Sequence, residues 1–417
     1  MLSLLYLDNI KNDRPAVENL NDLMLGKILS AITPNVRIQD AAKDIIARPL
    51  SDVGQIEYRR AILKDFANNR APLEKLRELF GGFGEIYNDY KYKKSSLFRI
   101  FNGQADYPSI LIHSAEAVKR LIDLVYSLND ALRDCHPESS GLNQIKSRLN
   151  ELAEASEMRK LYGLAEQFKS YYPNESEIAV DFAIDSDGKI SGLSMISESK
   201  YLPEQKSGKK RGFSLFGKSD TNESPNGMRV DFTSEDRGGI ISKTAKEITE
   251  AFEYIITSVC GEFSGIYYDL AFYVFAVKYC EAMVRAGTPV CFAVLSDSTE
   301  ITGLYDVYLL LTLPNPSAVV PNDFSLSNKT KGIIITGDNS AGKTVYLRAV
   351  SMAYILTAAG LPIPAESAKI SLPKDISLQM ASAERAYQSG NITGRFEEEV
   401  IDIKRLLIRC RLIQLSC

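Results

Sequence analysis

A glycine-rich segment between an apolar run and a helical pattern constrains the fold more than any other part of the sequence. It reads Gly-Asp-Asn-Ser-Ala-Gly-Lys-Thr at 337–344 and satisfies the pattern GxxxxGK[ST]. The apolar run 332–336 predicts a buried strand before it, and a helix is predicted to start near Gly342 and to end at Gly360. A strand, a phosphate loop and a helix in this order predict an α/β unit, which begins near residue 288.

The chemistry of phosphate binding explains the residue types of this loop. Glycines let a loop wrap a ligand with its amide N–H groups pointing inward, and the following helix N-terminus adds partial positive charge. We expect Lys343 to reach the β- and γ-phosphates and the Thr344 hydroxyl to bind Mg²⁺. An ordinary glycine turn is the alternative interpretation. The predicted phosphate-binding residues are Gly337, Asp338, Asn339, Ser340, Ala341, Gly342, Lys343 and Thr344.

Composition excludes several other classes of protein. The 417 residues carry 49 Lys plus Arg against 53 Asp plus Glu, so any contact with nucleic acid must come from local basic patches. Six Cys without a CxxC pair and only two His make a disulfide scaffold or a multi-histidine metal centre unexpected. The sequence has no signal-peptide pattern and no apolar run of membrane length, which predicts a cytoplasmic protein without a membrane partner.

The region before the α/β unit is predicted to be mainly helical, with a small β insert. Apolar residues at helical spacing predict long helices over 114–135, 142–168 and 242–285, and Gly261 and Gly265 are candidate points of bending in the last of these. Alternation over 178–196 around an Asp-Gly turn predicts a β-hairpin. Further strands are predicted at 228–233, 290–295 and 306–311.

The residues around the loop resemble the ATPase domain of the MutS family of DNA mismatch-repair proteins. The matching features are Asn339, the Tyr-Leu-Arg run at 346–348, and the Gly-Leu-Pro-Ile-Pro-Ala-Glu segment at 360–366. Segments 48–52, 56–59 and 63–66 resemble the start of the family's core domain. The resemblance implies a mixed fold: a helical core over 1–110, lever helices with a β clamp insert (about 176–240) over 111–287, and a partial P-loop ATPase domain over 288–417.

The resemblance also implies ATP with Mg²⁺ as cofactors, with Val320 and Asn322 lining the adenine pocket. Segment 389–399 resembles the signature segment that reaches the nucleotide of the opposite subunit, which implies a homodimer formed through the ATPase domain. An acidic start of an ordinary helix is the alternative for this segment. The candidates for contact in trans are Thr393, Arg395, Phe396 and Glu399.

The segment 205–218 carries five Lys or Arg and no acid, and it lies where the resemblance places the clamp. We expect Lys209, Lys210 and Arg211 to contact the backbone of double-stranded or branched DNA without reading its sequence. A solvated flexible linker is an equal alternative. The resemblance implies a MutL-like protein as a further partner.

Two departures from the family pattern limit what the resemblance implies. The acidic Walker B pair would follow Ile408, where the sequence reads Arg-Cys-Arg-Leu-Ile-Gln-Leu-Ser-Cys, so we expect no catalytic residue, no turnover and an incompletely folded ATPase part. The core-like segment begins within the first fifty residues, where family members that recognise mismatches carry an N-terminal reading domain, so we expect a paralogue without mismatch readout. Phe83-Gly84-Glu85 has the letters of that domain's wedge but lies within the core-like region, so we expect this match to be accidental. The alternative function is a non-catalytic dimerisation or DNA-binding module with a vestigial P-loop.

Overall fold

The computed structural model describes residues 2–7, 16–100, 106–169, 176–184, 190–200, 234–327, 329, 332–338, 341–373, 376, 400 and 404. The described chain is mainly helical and forms two compact units. One unit comprises residues 78–134 and 145–264, and the other comprises 2–77, 135–144 and 265–417. No helix within the described ranges is long and apolar enough to cross a membrane.

The first unit contains long helices and a β-hairpin. Its helices are α4 (Leu73–Ile100, from residue 78 onward), α5 (Tyr107–Leu132), α6 (Ser140–Glu154, from residue 145 onward), α7 (Ser156–Lys169) and α8 (Ser234–Phe263). Strands β1 (Ser176–Ile184) and β2 (Ile190–Lys200) pair antiparallel, which confirms the predicted hairpin. The predicted third strand at 228–233 and the basic segment 205–218 lie outside the described residues.

The core of the first unit forms where α5 packs against α7 and α8. Val118, Leu121 and Val125 of α5 are fully buried, as their helical spacing predicts. Phe83 is also fully buried, and its ring stacks on Phe263 with centroids 5.1 Å apart. Phe83 is therefore a core residue of the helical unit, as expected from its position in the sequence.

The second unit combines helices with one small sheet. Its helices are α1 (Leu25–Ile32), α2 (Val36–Ala47), α3 (Val53–Ala67), α9 (Ile266–Arg285), α10 (Val307–Thr312) and α11 (Lys343–Ala359). Its strands are β3 (Val294–Leu295), β4 (Thr299–Leu304), β5 (Asn322–Leu326) and β6 (Ser367–Ile370), in the order β3-β6-β4-β5. Only β3 and β6 are parallel, so the described sheet is mixed.

Local signals in the sequence explain where several helices begin and end. Asn35 and Asp52 cap α2 and α3, because their side chains accept hydrogen bonds from backbone amides three residues later. The predicted helix over 242–285 is interrupted at Ser264 and Gly265, between α8 and α9. The predicted helix over 142–168 is likewise divided, at Ala155.

Two of the predicted strands are wrong. Residues 306–311 are the N-cap and most of α10, because Asp306 accepts a hydrogen bond from the amide of Leu309 at 2.8 Å and so caps a helix. Residues 332–336 form no strand, and Ile334 is 90% exposed. Among the described strands, none pairs with this run. The predicted strand at 290–295 is shortened to Val294–Leu295, with an isolated bridge at Cys291.

A buried arginine joins three parts of the second unit. Arg59 of α3 is 1% exposed, and its Nε donates to the carbonyl of Leu5 at 2.9 Å. Its Nη1 donates to the carbonyl of Ala359, the last residue of α11, at 3.3 Å. Gly360 follows in the left-handed region (φ +85°), and a Cβ on it would come within 2.9 Å of the Arg59 Cβ. Glycine at position 360 therefore lets α11 end directly against Arg59.

A negative charge that interacts with this arginine comes from α9. Asp269 lies in the first turn of α9 and is 8% exposed. Its carboxylate accepts hydrogen bonds from the Ser3 hydroxyl at 2.8 Å and from the Leu4 amide at 2.7 Å. Burial raises the pKa of Asp269 to about 6, although these hydrogen bonds and the charge of Arg59 oppose the rise. The N-terminal segment 2–7 is thus held between α3 and α9.

Candidate phosphate-binding site

The glycine-rich loop leads into α11 as the sequence predicts. Gly342 adopts φ +84° in the left-handed region, and its carbonyl accepts a hydrogen bond from the amide of Tyr346 at 2.9 Å. The amide of Ala341 donates to the carbonyl of Asp338 at 3.1 Å, which closes a turn before the helix. No described side chain caps the first turn of α11, so its amides stay available to an anion.

Lys343 turns back over the loop. Its Nζ donates to the carbonyl of Gly337 at 2.5 Å and to that of Asp338 at 2.7 Å. The ammonium group therefore lies against the described part of the loop. Thr344 is exposed at the start of the helix.

Of the residues predicted to line the adenine pocket, Asn322 is the first residue of β5 and Val320 lies two residues before it. Val320 is 74% exposed, and the side-chain amide of Asn322 donates to the carbonyl of Val320 at 3.1 Å. The next residue, Asp323, links this strand to α11, because its carbonyl accepts a hydrogen bond from the Tyr346 hydroxyl at 2.9 Å. This contact joins the strand to α11 one helical turn after Lys343.

A buried ion pair holds α11 on α10. Arg348 is 7% and Asp306 is 3% exposed. The Arg348 Nε and Nη2 atoms donate to the two carboxylate oxygens of Asp306 at 2.7 and 3.0 Å, a bidentate geometry. The guanidinium also lies 4.8 Å from the ring centroid of Tyr308. The Asp306 carboxylate therefore caps α10 and neutralises Arg348 at the same time.

The other predicted site residues lie outside the described residues. These are two residues of the loop (Asn339 and Ser340), the candidates for contact in trans (Thr393, Arg395, Phe396 and Glu399), and the candidates for contact with DNA (Lys209, Lys210 and Arg211). Within the described ranges, no group of three or more His, Cys, Asp and Glu side chains is placed to hold a metal ion. The structure thus brings together Gly337, Asp338, Ala341, Gly342 and Lys343.

The framework behind the loop does not follow from the apolar pattern alone. That pattern predicts a strand starting at Asp306, although an aspartate directly before a run of helix-compatible residues is also the signal for an N-cap. Arg348 belongs to the Tyr-Leu-Arg run that resembles the family, but the run itself does not indicate what Arg348 contacts. An arginine among the apolar positions of a helix is the signal that a buried carboxylate lies nearby.

These features define a class of protein: a mainly helical chain in which a glycine-rich loop leads into a helix packed beside a small mixed sheet. Two family models match it. The model of the MutS2 N-terminal domain matches residues 51–286, and that of MutS domain V matches residues 333–412. Because the first match alone covers more than half of the chain, the chain belongs to the MutS family, as the resemblance predicted.

Individual relatives are similar over shorter segments. The DNA mismatch repair protein msh3 of Botryotinia fuckeliana (strain B05.10) is 36% identical over 95 residues, which are 22% of this chain and 8% of that protein. The DNA mismatch repair protein MutS of Granulibacter bethesdensis is 36% identical over 85 residues, 20% of this chain and 9% of that protein. Endonuclease MutS2 of Bacillus cytotoxicus is 33% identical over 92 residues, 22% of this chain and 12% of that protein. The aligned segments thus span about a tenth of these relatives.

The ion pair between Arg348 and Asp306 generates a prediction about stability. Arg348→Met removes the partner of a buried carboxylate, so we expect the free energy of unfolding to fall by about 3 kcal/mol or more. The double variant Asp306→Asn/Arg348→Met removes both charges, and the side-chain amide introduced at position 306 retains an acceptor oxygen for the Leu309 amide. Urea denaturation should show the double variant to be more stable than Arg348→Met. Equal stabilities, or a loss below about 1 kcal/mol in the single variant, would contradict a buried pair.

Proposed function

We propose that this chain is a DNA-binding, nucleotide-binding part of a MutS-family DNA-repair protein. It binds ATP with Mg²⁺ through the loop 337–344 and DNA through the β insert at about 176–240. The observation that carries the nucleotide proposal is the position of Lys343, whose Nζ lies against the loop carbonyls of Gly337 and Asp338.

The described part of the loop has the properties that a polyphosphate needs. Its residues are largely exposed, the first amides of α11 have no side-chain cap, and the ammonium of Lys343 lies against the loop. A bound phosphate would replace two neutral carbonyl oxygens as the acceptor of the Lys343 protons. The ammonium and a phosphate carry opposite charges and attract each other, whereas the carbonyl oxygens are neutral, so this exchange favours the ligand.

The donor set also fits Mg²⁺. A hydroxyl at the first turn of the helix and phosphate oxygens of the nucleotide are the hard oxygen ligands that Mg²⁺ prefers, with water completing the shell. Thr344 is exposed and follows Lys343 directly, so its hydroxyl is the residue we assign to the metal. When bound, Mg²⁺ supplies positive charge that neutralises the phosphates.

The adenine side of the proposed site lies on β5. Val320 offers an exposed apolar side chain, and Asn322 offers an amide whose present acceptor is the neighbouring carbonyl of Val320. Exposed apolar surface next to a polar group of fixed orientation suits a flat aromatic base. We assign the recognition of adenine to these two residues.

DNA binding is proposed from family membership and from the charge of the insert. Two of the relatives described above are named DNA mismatch repair proteins and the third is named an endonuclease. Segment 205–218 concentrates positive charge in a chain whose net charge is −4. Backbone phosphates of double-stranded or branched DNA are the partner that such a cluster fits. A homodimer formed through residues 389–399 and a MutL-like partner are further parts of this proposal.

A second function competes with nucleotide binding. Residues 333–335 are exposed isoleucines, and Ile334 is 90% exposed. A loop whose preceding run is not packed, and whose lysine already has two carbonyl partners, is also compatible with a vestigial P-loop in a non-catalytic dimerisation or DNA-binding module.

Substitution of Lys343 separates these two functions. We expect the chain to bind Mg-ATP, and we expect Lys343→Ala to weaken this binding at least about tenfold, because charge-assisted hydrogen bonds to phosphate are lost. Titration calorimetry measures both affinities. Lys369→Ala is the matched control, because Lys369 is an exposed residue of β6 whose charge faces Glu300. Absence of Mg-ATP binding to the unsubstituted chain would favour the vestigial loop.

The basic cluster generates a separate prediction about DNA. Replacing Lys209, Lys210 and Arg211 by alanine should weaken binding to a duplex and to a branched junction alike. The slope of log affinity against log salt should become shallower by about 2–3, since each phosphate contact contributes about 0.9. The matched control is the triple alanine variant at Arg37, Lys43 and Lys75, which are exposed helical residues of the second unit. An identical slope for both triple variants would contradict a DNA contact at 209–211.

A further inference from the structure

One side chain connects the strand of the proposed adenine pocket to the helix of the phosphate loop. The Tyr346 hydroxyl donates to the carbonyl of Asp323 at 2.9 Å, and its ring centroid lies 6.4 Å from that of Phe324. The amide of Tyr346 makes the hydrogen bond to the carbonyl of Gly342 at the start of α11. Tyr346 therefore contacts both the residue that follows Asn322 and the end of the phosphate loop.

The acceptor of the Tyr346 hydroxyl is itself fixed in the sheet. The carboxylate of Asp323 accepts a hydrogen bond from the amide of Gly303 at 2.8 Å, and Asn322 pairs with Leu304 between β5 and β4. The carbonyl of Asp323 thus moves with the sheet. The hydrogen bond from Tyr346 consequently fixes α11 relative to a strand and not to a loose loop.

The hydroxyl is in the protonation state that this bond needs. Burial raises the pKa of Tyr346 above its ordinary value, with a smaller contribution from the negative charge of Asp323. The Tyr346 hydroxyl therefore stays protonated at neutral pH and donates a hydrogen bond to the carbonyl. The side chain is partly buried, and its hydroxyl contacts β5 at the carbonyl of Asp323.

We propose that Tyr346 is a positioning residue that sets the separation between the adenine side, Val320 and Asn322, and the phosphate loop. This inference rests on the proposed nucleotide function. ATP has to contact the adenine side and the phosphate loop at the same time, whereas inorganic tripolyphosphate contacts the loop alone. Loss of the Tyr346 hydroxyl therefore weakens the binding of ATP and leaves the binding of tripolyphosphate unchanged.

The experiment compares Tyr346→Phe with a matched control on the same helix. Tyr354 also lies 6.4 Å from Phe324, and its hydroxyl donates to the Thr299 hydroxyl at 2.8 Å. Tyr354→Phe makes the same chemical change about two helical turns further from the loop. Affinities of the full chain for Mg-ATP and for Mg-tripolyphosphate are measured by titration calorimetry, and folding is checked by thermal unfolding.

We expect Tyr346→Phe to weaken ATP binding about three- to tenfold, the effect of one hydrogen bond, while the affinity for tripolyphosphate stays within about twofold. Tyr354→Phe should leave both affinities unchanged. Equal losses for the two ligands in Tyr346→Phe, or an unchanged affinity for ATP, would overturn the positioning role alone. If the unsubstituted chain binds neither ligand, the proposed nucleotide function fails and the inference fails with it.

Discussion

The second unit depends on the hydrogen bonds that the buried guanidinium of Arg59 makes. A charge removed from water is costly unless acceptors surround it, and Arg59 finds them in carbonyls of the N-terminal segment and of the last turn of α11. The nearby carboxylate of Asp269 in turn binds Ser3 and Leu4. One charged side chain therefore joins Leu5 to Ala359, which are far apart in the sequence. Arg59 itself belongs to the segment 56–59, one of the segments that resemble the family.

Helix α11, whose last residue binds Arg59, is held nearer its first residue by a second buried charge. Arg348 binds Asp306 through two hydrogen bonds, and Asp306 also caps α10. Helix α11 is about 25 Å long, and it is fixed at two points: at Arg348 by Asp306 and at its last residue by Arg59. Fixing the helix also fixes the direction of its first amides and the position of Lys343. The phosphate loop is therefore presented by a framework that two buried arginines build.

The sequence predicted the elements that depend on local chemistry. The glycines at both ends of α11 and the alternation within the hairpin are local signals, and the structure has a helix and two paired strands there. The prediction of a strand at 332–336 is wrong because an apolar run does not indicate which surface will cover it. Residues 306–311 failed because a short apolar run fits a strand or a helix equally, and the capping side chain of Asp306 decides between them. Arg59 and Asp269 are 210 positions apart, and no local pattern reveals such a pair.

Hydrogen–deuterium exchange of the full chain tests most directly whether α11 is a preformed carrier of a nucleotide loop. Without nucleotide, the amides of residues 352–359 should exchange slowly, because both anchors of α11 are independent of any ligand. Addition of Mg-ATP should slow the exchange of the amides of Gly337, Asp338 and Ala341–Thr344. Exchange of residues 352–359 as fast as in the urea-unfolded chain, or an unchanged rate in the loop at saturating Mg-ATP, would contradict this account.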